Sequence, residues 1–267
     1  MSEETPILDI AAMLWDAQFS GATCPQPSVL RPSLNVEDAY AIQEINIARR
    51  RSSRGLHGKL ANPVGRKIGL TSKAIQSWLN VHEPDFGVLL DDMLIPDGES
   101  ADVSNLLQPR AEGEIAFVLG RDLGGPGVTG AEVIAATDFL LPAIEIIDSR
   151  IEDWKITYED TIADNASSGM FVLGNQPVSL RNTELRLCGM VLRKNGAVVS
   201  TGAGAACLGH PINAVVWLAN KLAEFGEKLE AGDIVLSGAL GPVTPVEAGD
   251  HLEAEIRGVG RVTVGFR

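Results

Sequence analysis

The chain has 267 residues, of which 45% are hydrophobic and 21% are charged, as in an ordinary soluble globular protein. Its length suffices for one large core with an accessory region, or for two small domains. The net charge of −13 argues against nucleic acid or an anionic membrane as a partner, and no apolar run approaches the roughly 20 residues of a membrane span.

The N-terminal part of the chain is predicted to be helical. Apolar residues recur at helical spacing over residues 6–20, and residues 21–34, which carry three prolines, are predicted to form a loop. Asn35 is a suitable cap for a second helix, which we expect to end at Gly55.

The remainder of the chain is predicted to be rich in strands. From about residue 61, short apolar runs are separated by Gly, Pro, Asn and Asp, which is typical of strands and turns. Asn195 and Gly196 stand between two such runs and form a strong hairpin signal. The predicted strands cover residues 114–119, 143–147, 170–173, 187–193, 197–200, 233–236, 252–257 and 261–266.

Two helices interrupt these strands. One is capped by Thr129, with Glu132 placed to complete a capping box, and the other has Pro211 in its first turn. Because strands outnumber helices and do not alternate with them regularly, we expect an α+β fold with a mostly antiparallel or mixed sheet. The predicted organisation is an N-terminal helical region, residues 1–60, followed by a β-rich domain, residues 61–267.

Three glutamates are the candidate functional residues with the strongest signal. Glu112 and Glu114 lie in one apolar run and Glu145 lies among isoleucines in another, so both runs are predicted to be buried strands. Successive side chains of a strand alternate between two faces, and Glu112 and Glu114 therefore point the same way, about 7 Å apart. Converging carboxylates repel one another and raise their own pKa values. A divalent cation removes that conflict, and an all-oxygen ligand set suits Mg²⁺ or Mn²⁺ better than zinc.

The structural alternative is that these glutamates form salt bridges with nearby arginines such as Arg110 and Arg150. This is the simpler interpretation of Glu112 alone, because two glutamates separated by one residue occur in many strands. It explains Glu145 less well, because isoleucines surround that residue and an unpaired buried carboxylate is costly.

Two further residues have chemistry that suits a functional site. Lys67 lies in an apolar, glycine-flanked segment, where a lysine with a lowered pKa acts as an acid, a base or an electrostatic anchor. The alternative is a solvent-facing lysine on an edge strand. Residues 84–87 are predicted to form a turn that could present Asp85 to a cleft, although a turn aspartate more often accepts from backbone N–H groups. Residues 160–169 are rich in small polar groups and suit either a small anionic ligand or a structural loop.

Cysteine usage indicates a reducing compartment. Cys24, Cys188 and Cys207 are odd in number, far apart and without metal-ligand spacing. The acidic N-terminus also lacks the apolar core of a secretory signal. We therefore expect a cytoplasmic protein.

At Lys67 and the three glutamates together, the chain resembles the 2-keto-4-pentenoate hydratase family of the fumarylacetoacetate hydrolase superfamily. The resemblance extends from Asp38 to the C-terminus, and many matches in the same order make it specific. Gly113 departs from the pattern, because relatives usually carry a larger residue there. The matching stretches are residues 65–71, 84–87, 107–116, 149–151, 164–167, 208–211 and 237–242.

The resemblance implies a mixed β-roll, barrel-like core of the fumarylacetoacetate hydrolase type with an N-terminal helical region, in a homo-oligomer. It implies a divalent cation, Mg²⁺ or Mn²⁺, held by Glu112, Glu114 and Glu145. It also places Lys67, Asp85 and Ser167 near that cation. The implied substrate is a small 2-hydroxydienoate, and such proteins also form complexes with other enzymes of aromatic-degradation pathways.

The implied reaction is hydration of a 2-hydroxy-2,4-dienoate to a 4-hydroxy-2-oxoacid in the meta-cleavage degradation of aromatic compounds. The metal acts as a Lewis acid at C2, C5 is protonated, and water adds at C4. Lys67 is the candidate for proton transfer or enolate stabilisation, and Asp85 for handling a proton or positioning the water. Ser167 is the candidate for holding the substrate by a hydrogen bond.

Other activities compatible with the resemblance stay open at this stage. A 4-oxalocrotonate decarboxylase uses the same metal chelate, and a hydratase for a dicarboxylate dienoate would need an additional cation that the sequence does not identify. A hydrolase of the wider superfamily would need a His–Glu pair to activate water. A non-catalytic scaffold is the alternative from another class, and the intact glutamates argue against it.

Overall fold

The computed structural model describes residues 4–52, 60–73, 76–77 and 81–267. Within these ranges no helix has the length and apolarity needed to cross a bilayer. The named α-helices of the described part are α1 (Ile7–Ser20), α2 (Pro27–Leu30), α3 (Val36–Ser52), α4 (Gly130–Ala136), α5 (Tyr158–Ala163) and α6 (Pro211–Glu224).

The predicted helix starts are confirmed by their capping contacts. The Asn35 side chain accepts from the backbone N–H of Asp38 at 2.8 Å ahead of α3, and Thr129 and Glu132 form the expected capping box of α4. The short helix α2 lies inside the segment predicted to be a loop, which is a correction: its N-terminal proline suits the first helical turn. The predicted stop at Gly55 lies outside the described residues.

The strands confirm the β-rich character predicted from residue 61 onward. All eight predicted strands are present, with ends that differ by a few residues. The strands are β1 (Pro63–Gly69), β2 (Asp85–Leu90), β3 (Leu94–Pro96), β4 (Ser100–Ala101), β5 (Arg110–Leu119), β6 (Thr137–Ile147), β7 (Ser168–Leu173), β8 (Gly189–Lys194), β9 (Ala197–Ala203), β10 (Ile234–Leu236), β11 (Thr244–Pro245), β12 (His251–Ile256) and β13 (Gly260–Phe266).

These strands form two mixed sheets in the described part of the chain. The larger sheet has the order β2-β1-β10-β5-β6-β7-β3, with β11 paired to β5, and the smaller has the order β4-β13-β12-β8-β9. Strand β1 runs parallel to β10, and β3 runs parallel to β7, whereas β5 is antiparallel to β6. The α+β class and the mixed sheet are therefore confirmed.

The larger sheet is curled, and its concave face carries the candidate site. Strands β1 and β6 are three steps apart in the sheet, which corresponds to about 14 Å if the sheet were flat. Even so, Lys67 Nζ on β1 lies 3.1 Å from Glu145 Oε1 on β6. Because side chains stand roughly perpendicular to a sheet, this contact requires the strands to curve towards each other, as in a β-roll.

Helix α3 fixes the position of the sheet edge beside the site. It packs against α1 and α5, and Tyr40 stacks on Phe86 of β2 with ring centroids 4.5 Å apart. The Gln43 side chain donates to the backbone carbonyls of Phe86 and Ile162, at 3.1 and 2.9 Å. One residue of α3 therefore joins β2 to α5. The division at residue 60 stays a prediction.

Sequence analysis missed four strands of the larger sheet, the short β3 and β11 and the longer β1 and β2, which carry site residues. Residues 63–69 and 85–90 form β1 and β2, so the predicted turn at residues 84–87 is wrong. These strands contain glycines and charged residues at positions that face the site, and such residues interrupt the apolar pattern by which strands are recognised.

Candidate metal centre and active site

Glu112, Glu114 and Glu145 converge on one buried location. Strand β5 pairs with β6 so that Glu112 lies directly opposite Glu145, and Glu114 lies opposite Ala143. One carboxylate oxygen from each glutamate lies within 4.8 Å of the others, and the residues are only 8%, 0% and 1% exposed. The predicted common face of Glu112 and Glu114 is thus present.

The alternating pattern of β5 explains why its carboxylates point inward. Ile115 and Phe117 take the opposite face, where they are fully buried in the main hydrophobic cluster. Gly113 faces that same side, and a Cβ there would lie 3.2 Å from the Met190 side chain of β8. The close approach of the smaller sheet thus accounts for the small residue at this position.

The carboxylates have few of the partners that buried charges require. Among the described residues Glu114 Oε1 accepts no hydrogen bond, and Glu145 has one counter-charge, Lys67, whose Nζ lies 3.1 Å from Glu145 Oε1. Burial, followed by the charge of Glu145, raises the pKa of Glu112 to about 7 and that of Glu114 well above its usual range. Three hard oxygen donors with raised pKa values and free lone pairs fit a divalent cation such as Mg²⁺ or Mn²⁺.

No arginine of the described residues neutralises this cluster, and the predicted salt bridges with Arg110 and Arg150 are wrong. Arg150 is buried and pairs with Asp164 instead, and the Arg110 guanidinium lies over the Trp154 ring at 4.5 Å. Lys67 is the cation beside the glutamates. Its ion pair with Glu145 is the only ion pair that the described residues make with the three carboxylates.

Lys67 lies inside the site and does not face solvent. It is 3% exposed, and its Nζ donates to the backbone carbonyl of Ala166 at 2.8 Å. Although burial lowers the pKa of Lys67, the charges of Glu145 and Asp85 outweigh burial and raise this pKa above its ordinary value. The lysine is therefore an ammonium in the metal-free protein, contrary to the lowered pKa suggested by its apolar neighbours.

Asp85 is the first residue of β2 and lies beside Lys67. Its Oδ2 accepts from the Thr161 hydroxyl at 3.1 Å, and no described residue donates a hydrogen bond to its Oδ1. Burial raises the pKa of Asp85, and the Lys67 charge opposes that rise. The carboxyl group is therefore held at one oxygen and available at the other.

Two glycines make room for this pair. Gly87 lies opposite Lys67 in the β1–β2 ladder, and Gly69 lies opposite Asp85. A Cβ at Gly69 would overlap Asp85 Oδ1 and would lie 3.5 Å from Lys67 Nζ. A Cβ at Gly87 would overlap the backbone carbonyl of Asn165. Both positions therefore require a residue without a side chain.

Ser167 belongs to an unusual left-handed turn. Asn165, Ala166 and Ser167 have φ values of 53°, 50° and 53°, a conformation that costs energy in residues other than glycine and persists where the surroundings enforce it. Ser167 is buried and its Oγ accepts and donates no hydrogen bond. Ser167 directly follows Ala166, whose carbonyl accepts from Lys67 Nζ, so the turn brings the Ser167 hydroxyl close to that contact.

Sequence analysis missed three groups that support these residues. They are the Thr161 hydroxyl, the Ala166 carbonyl and the backbone N–H of Gly238, which donates to Glu114 Oε2 at 2.8 Å. Gly238 has a φ of 105°, and a Cβ there would overlap Thr71. The sequence does not show which backbone groups make contacts with side chains. Gly238, in the motif at residues 237–242, nevertheless indicated a close approach of the backbone to another group.

Comparison with known proteins agrees with this geometry. Residues 61–267 match the family model described as the C-terminal part of fumarylacetoacetate (FAA) hydrolase. The chain is 52% identical to a protein named 2-keto-4-pentenoate hydratase from Paraburkholderia xenovorans (strain LB400), over 97% of this chain and 94% of that protein. It is 44% identical to a 2-hydroxyhexa-2,4-dienoate hydratase from Comamonas testosteroni, over 100% of this chain and 99% of that protein.

A solved structure extends the likeness to the whole fold. The 4-oxalocrotonate decarboxylase from Pseudomonas putida G7, complexed with magnesium and adipate, superposes with a TM-score of 0.92 at 38% identity, covering 99% of this chain and 100% of that one. This match and the two hydratases together cover the helical N-terminal region as well as both sheets. The chain therefore belongs to the 2-keto-4-pentenoate hydratase family within the fumarylacetoacetate hydrolase superfamily.

Proposed function

We propose that this protein is a metal-dependent hydro-lyase that converts a 2-hydroxy-2,4-dienoate of the 2-oxopent-4-enoate type into a 4-hydroxy-2-oxoacid. The observation that carries the proposal is the convergence of three buried carboxylates beside Lys67 and Asp85. The identity of 52% to a 2-keto-4-pentenoate hydratase over almost the full length supports this reaction. The proposed place of the reaction is the meta-cleavage degradation of aromatic compounds.

Glu112, Glu114 and Glu145 would hold Mg²⁺ or Mn²⁺. Their unpartnered oxygens and raised pKa values support this assignment, and the magnesium in the related decarboxylase supports a hard dication. When bound, the cation supplies Lewis-acid polarisation of the substrate's C2 oxygen. The Gly238 N–H orients Glu114 by holding Oε2, which leaves Oε1 as the ligand oxygen.

Lys67 would stabilise negative charge that develops on the substrate. An ammonium has three donors, of which one is used by the Ala166 carbonyl and a second faces Glu145. The third is available to a substrate oxygen when the dienol becomes an enolate. We assign to Lys67 the role of a hydrogen-bond donor and electrostatic anchor, which its contacts with Ala166 and Glu145 support.

Asp85 and Ser167 would complete the proton chemistry and substrate binding. Asp85 Oδ1 has no partner in the protein, and a carboxyl group with a raised pKa suits proton transfer near neutral pH. We assign to it the proton delivered to C5 or the orientation of the water that adds at C4. The unpartnered Ser167 hydroxyl would donate to the substrate carboxylate.

The related activities have weaker support. The decarboxylase shares 38% identity with this chain, compared with 52% for the hydratase. A His–Glu pair for hydrolysis is absent from the described residues, since His82 and His251 are exposed and His210 caps α6 by accepting from the Ile212 N–H.

An ultraviolet assay with product mass tests the proposal. Chelator-stripped protein is mixed with 2-hydroxypenta-2,4-dienoate, with and without Mg²⁺ or Mn²⁺, and the dienol band is followed. We expect metal-dependent loss of the band and a product heavier by one water. A dicarboxylate dienoate serves as the comparison substrate. Loss of CO₂ from it, with no hydration of the monocarboxylate, would replace the hydratase by a decarboxylase.

We also propose that the protein is a cytoplasmic homo-oligomer that forms a complex with other enzymes of its pathway. Val198 and Val199 are 57% and 41% exposed on β9, the end strand of the smaller sheet, and exposed apolar edge strands are characteristic of subunit contacts. Light scattering during gel filtration is expected to give a mass above that of one chain. A mass of one chain across the working concentration range would refute this.

A further inference from the structure

We propose that Thr161 is a positioning residue that determines which oxygen of Asp85 exchanges a proton during the reaction. The inference rests on the proposed function, because it takes Asp85 as the proton-handling group. Thr161 lies on α5 and does not itself reach the glutamates. It acts through its contact with the Asp85 carboxyl group.

The two oxygens of Asp85 have different surroundings. Oδ2 accepts from Thr161 Oγ1 at 3.1 Å, whereas Oδ1 has no hydrogen-bond partner among the described residues although Asp85 is only 1% exposed. The space above Gly69 borders both Asp85 Oδ1 and Lys67 Nζ. Oδ1 is therefore the oxygen that faces the site, and Oδ2 is the oxygen that faces α5.

The hydroxyl of Thr161 is committed to this contact. A threonine in a helix commonly donates its hydroxyl back to the carbonyl one turn earlier, which it shares with the helix N–H, whereas the hydrogen bond of the Thr161 hydroxyl runs to Asp85 Oδ2 at 3.1 Å. The single hydroxyl hydrogen is donated across to Asp85 instead. Helix α5 is held in register for this by the capping box of Thr157 and Asp160.

This arrangement has a chemical consequence for proton transfer. A hydroxyl that donates to Oδ2 disfavours an O–H on that same oxygen, since two hydrogens would then meet. When Asp85 accepts a proton, the new O–H therefore forms on Oδ1, and when it donates, the proton leaves from Oδ1 and the carboxylate is restored. Without the Thr161 hydroxyl, Oδ2 loses its side-chain donor, and the carboxyl group is no longer prevented from carrying its proton on the side away from the substrate.

The test uses two substitutions of Thr161 and one matched control. Thr161→Val keeps the shape of the side chain and removes the donor, and Thr161→Ser keeps the donor. Thr137→Val removes another hydroxyl bond, from Thr137 Oγ1 to the Val133 carbonyl at 2.8 Å, at the first residue of β6, which lies about 26 Å from Glu145 along the strand by the strand rise. Steady-state kinetics with 2-hydroxypenta-2,4-dienoate and saturating Mg²⁺ are measured for each variant, together with the melting temperature.

We expect Thr161→Val to lower kcat about tenfold with KM within twofold, a range typical for the loss of support to a general acid or base. Thr161→Ser is expected to retain at least a third of kcat, and Thr137→Val to equal the parent protein. A kcat for Thr161→Val equal to that of the parent, or a Thr161→Ser variant as slow as Thr161→Val, would overturn the proposal.

A crystal structure of Thr161→Val beside that of the parent gives a readout that does not depend on activity. We expect the Asp85 carboxyl group to rotate in the variant, so that Oδ1 no longer faces Lys67. An unchanged carboxyl orientation would overturn the inference even if the protein hydrates the substrate. A rotated carboxyl group in a protein that hydrates no dienoate would instead overturn the proposed function alone.

Discussion

At the scale of single residues, the site depends on two positions that lack a side chain. Gly69 and Gly87 lie opposite Asp85 and Lys67 on neighbouring strands. We expect Gly69→Ala to lower kcat at least tenfold, because its Cβ would displace Asp85 Oδ1. Gly189→Ala on β8 is the matched control, since a Cβ there meets nothing within 4 Å. Equal kcat values for the two variants would show that Asp85 tolerates displacement.

Glu114 illustrates the conflict between stability and metal binding at one residue. Its pKa is raised by burial and by the charges of Glu145 and Glu112, so the charged form is unfavourable in the metal-free protein. We expect Glu114→Gln to raise the unfolding free energy of the metal-free protein, because the neutral amide removes the unfavourable buried charge.

The same substitution should weaken Mg²⁺ binding at least tenfold, the lower range for loss of support at a metal site. Chemical denaturation in chelator measures the first effect, and calorimetric titration measures the second. Glu44→Gln, on the exposed side of α3, is the control. A Glu114→Gln variant that is less stable without metal would contradict the view that the cluster is electrostatically frustrated.

Residue chemistry alone predicted the ligand candidates but not their supports. Glu112, Glu114 and Glu145 were identifiable because charged residues are rare in strongly apolar strands. The contacts from Thr161 to Asp85 and from Gly238 to Glu114 join residues that are 76 and 124 positions apart. No local pattern specifies such pairs, because they follow from the curl of the sheet.

At the scale of elements, the left-handed turn at residues 165–167 connects β2 to the site. The Asn165 side chain accepts from the Val88 N–H at 2.8 Å and donates to the Val88 carbonyl at 3.0 Å, as a neighbouring strand would. This clamp holds the Ala166 carbonyl against Lys67. Asparagine also tolerates the left-handed conformation better than other residues with a side chain.

We expect Asn165→Ala to lower kcat at least tenfold, because the turn loses its attachment to β2. Asn195→Ala is a close control. Asn195 lies in the β8–β9 hairpin and is also left-handed, with a φ of 53°. Its side chain makes two hydrogen bonds at 2.8 Å. Both variants should lose about 1–3 kcal/mol of stability. Similar kcat values in the two would mean that the turn has no role in positioning Lys67.

The predictability of each strand follows from what it faces. Strands β5 and β6 were recognised because apolar residues cover at least one of their faces and most of the other. Strand β1 was missed because it has one large apolar residue that is buried, Ile68. Its other positions include two glycines and two cationic residues, Arg66 and Lys67. The strands that carry the proposed proton-handling residues are thus the ones with the weakest pattern, because their polar residues serve the site.

At the scale of the whole molecule, the carboxylate cluster links stability to pH and metal. The pKa values of Glu112, Glu114 and Glu145 are raised in the folded state. The folded protein then binds more protons than the unfolded chain between the ordinary glutamate pKa and about pH 7. This contribution to stability is present at low pH and is lost as pH rises through that window.

We therefore expect the metal-free melting temperature to fall as pH rises from 5 to 8, relative to a variant with glutamine at all three positions. With saturating Mg²⁺ we expect the opposite trend: the melting temperature of the parent should rise with pH relative to that of the variant. The ligands must be deprotonated to bind, and a bound ion stabilises the folded state. Thermal scans in chelator and in Mg²⁺ measure both slopes. Parallel pH profiles of the parent and the variant in chelator would contradict the raised pKa values.

Counting bound Mn²⁺ tests most directly whether Glu112, Glu114 and Glu145 form one metal centre per chain. Chelator-stripped protein is titrated with Mn²⁺, and free ion is followed by its electron paramagnetic resonance signal. We expect one bound Mn²⁺ ion per chain for the parent and none for the variant with glutamine at Glu112, Glu114 and Glu145. One bound ion in that variant, or none in the parent, would contradict this expectation.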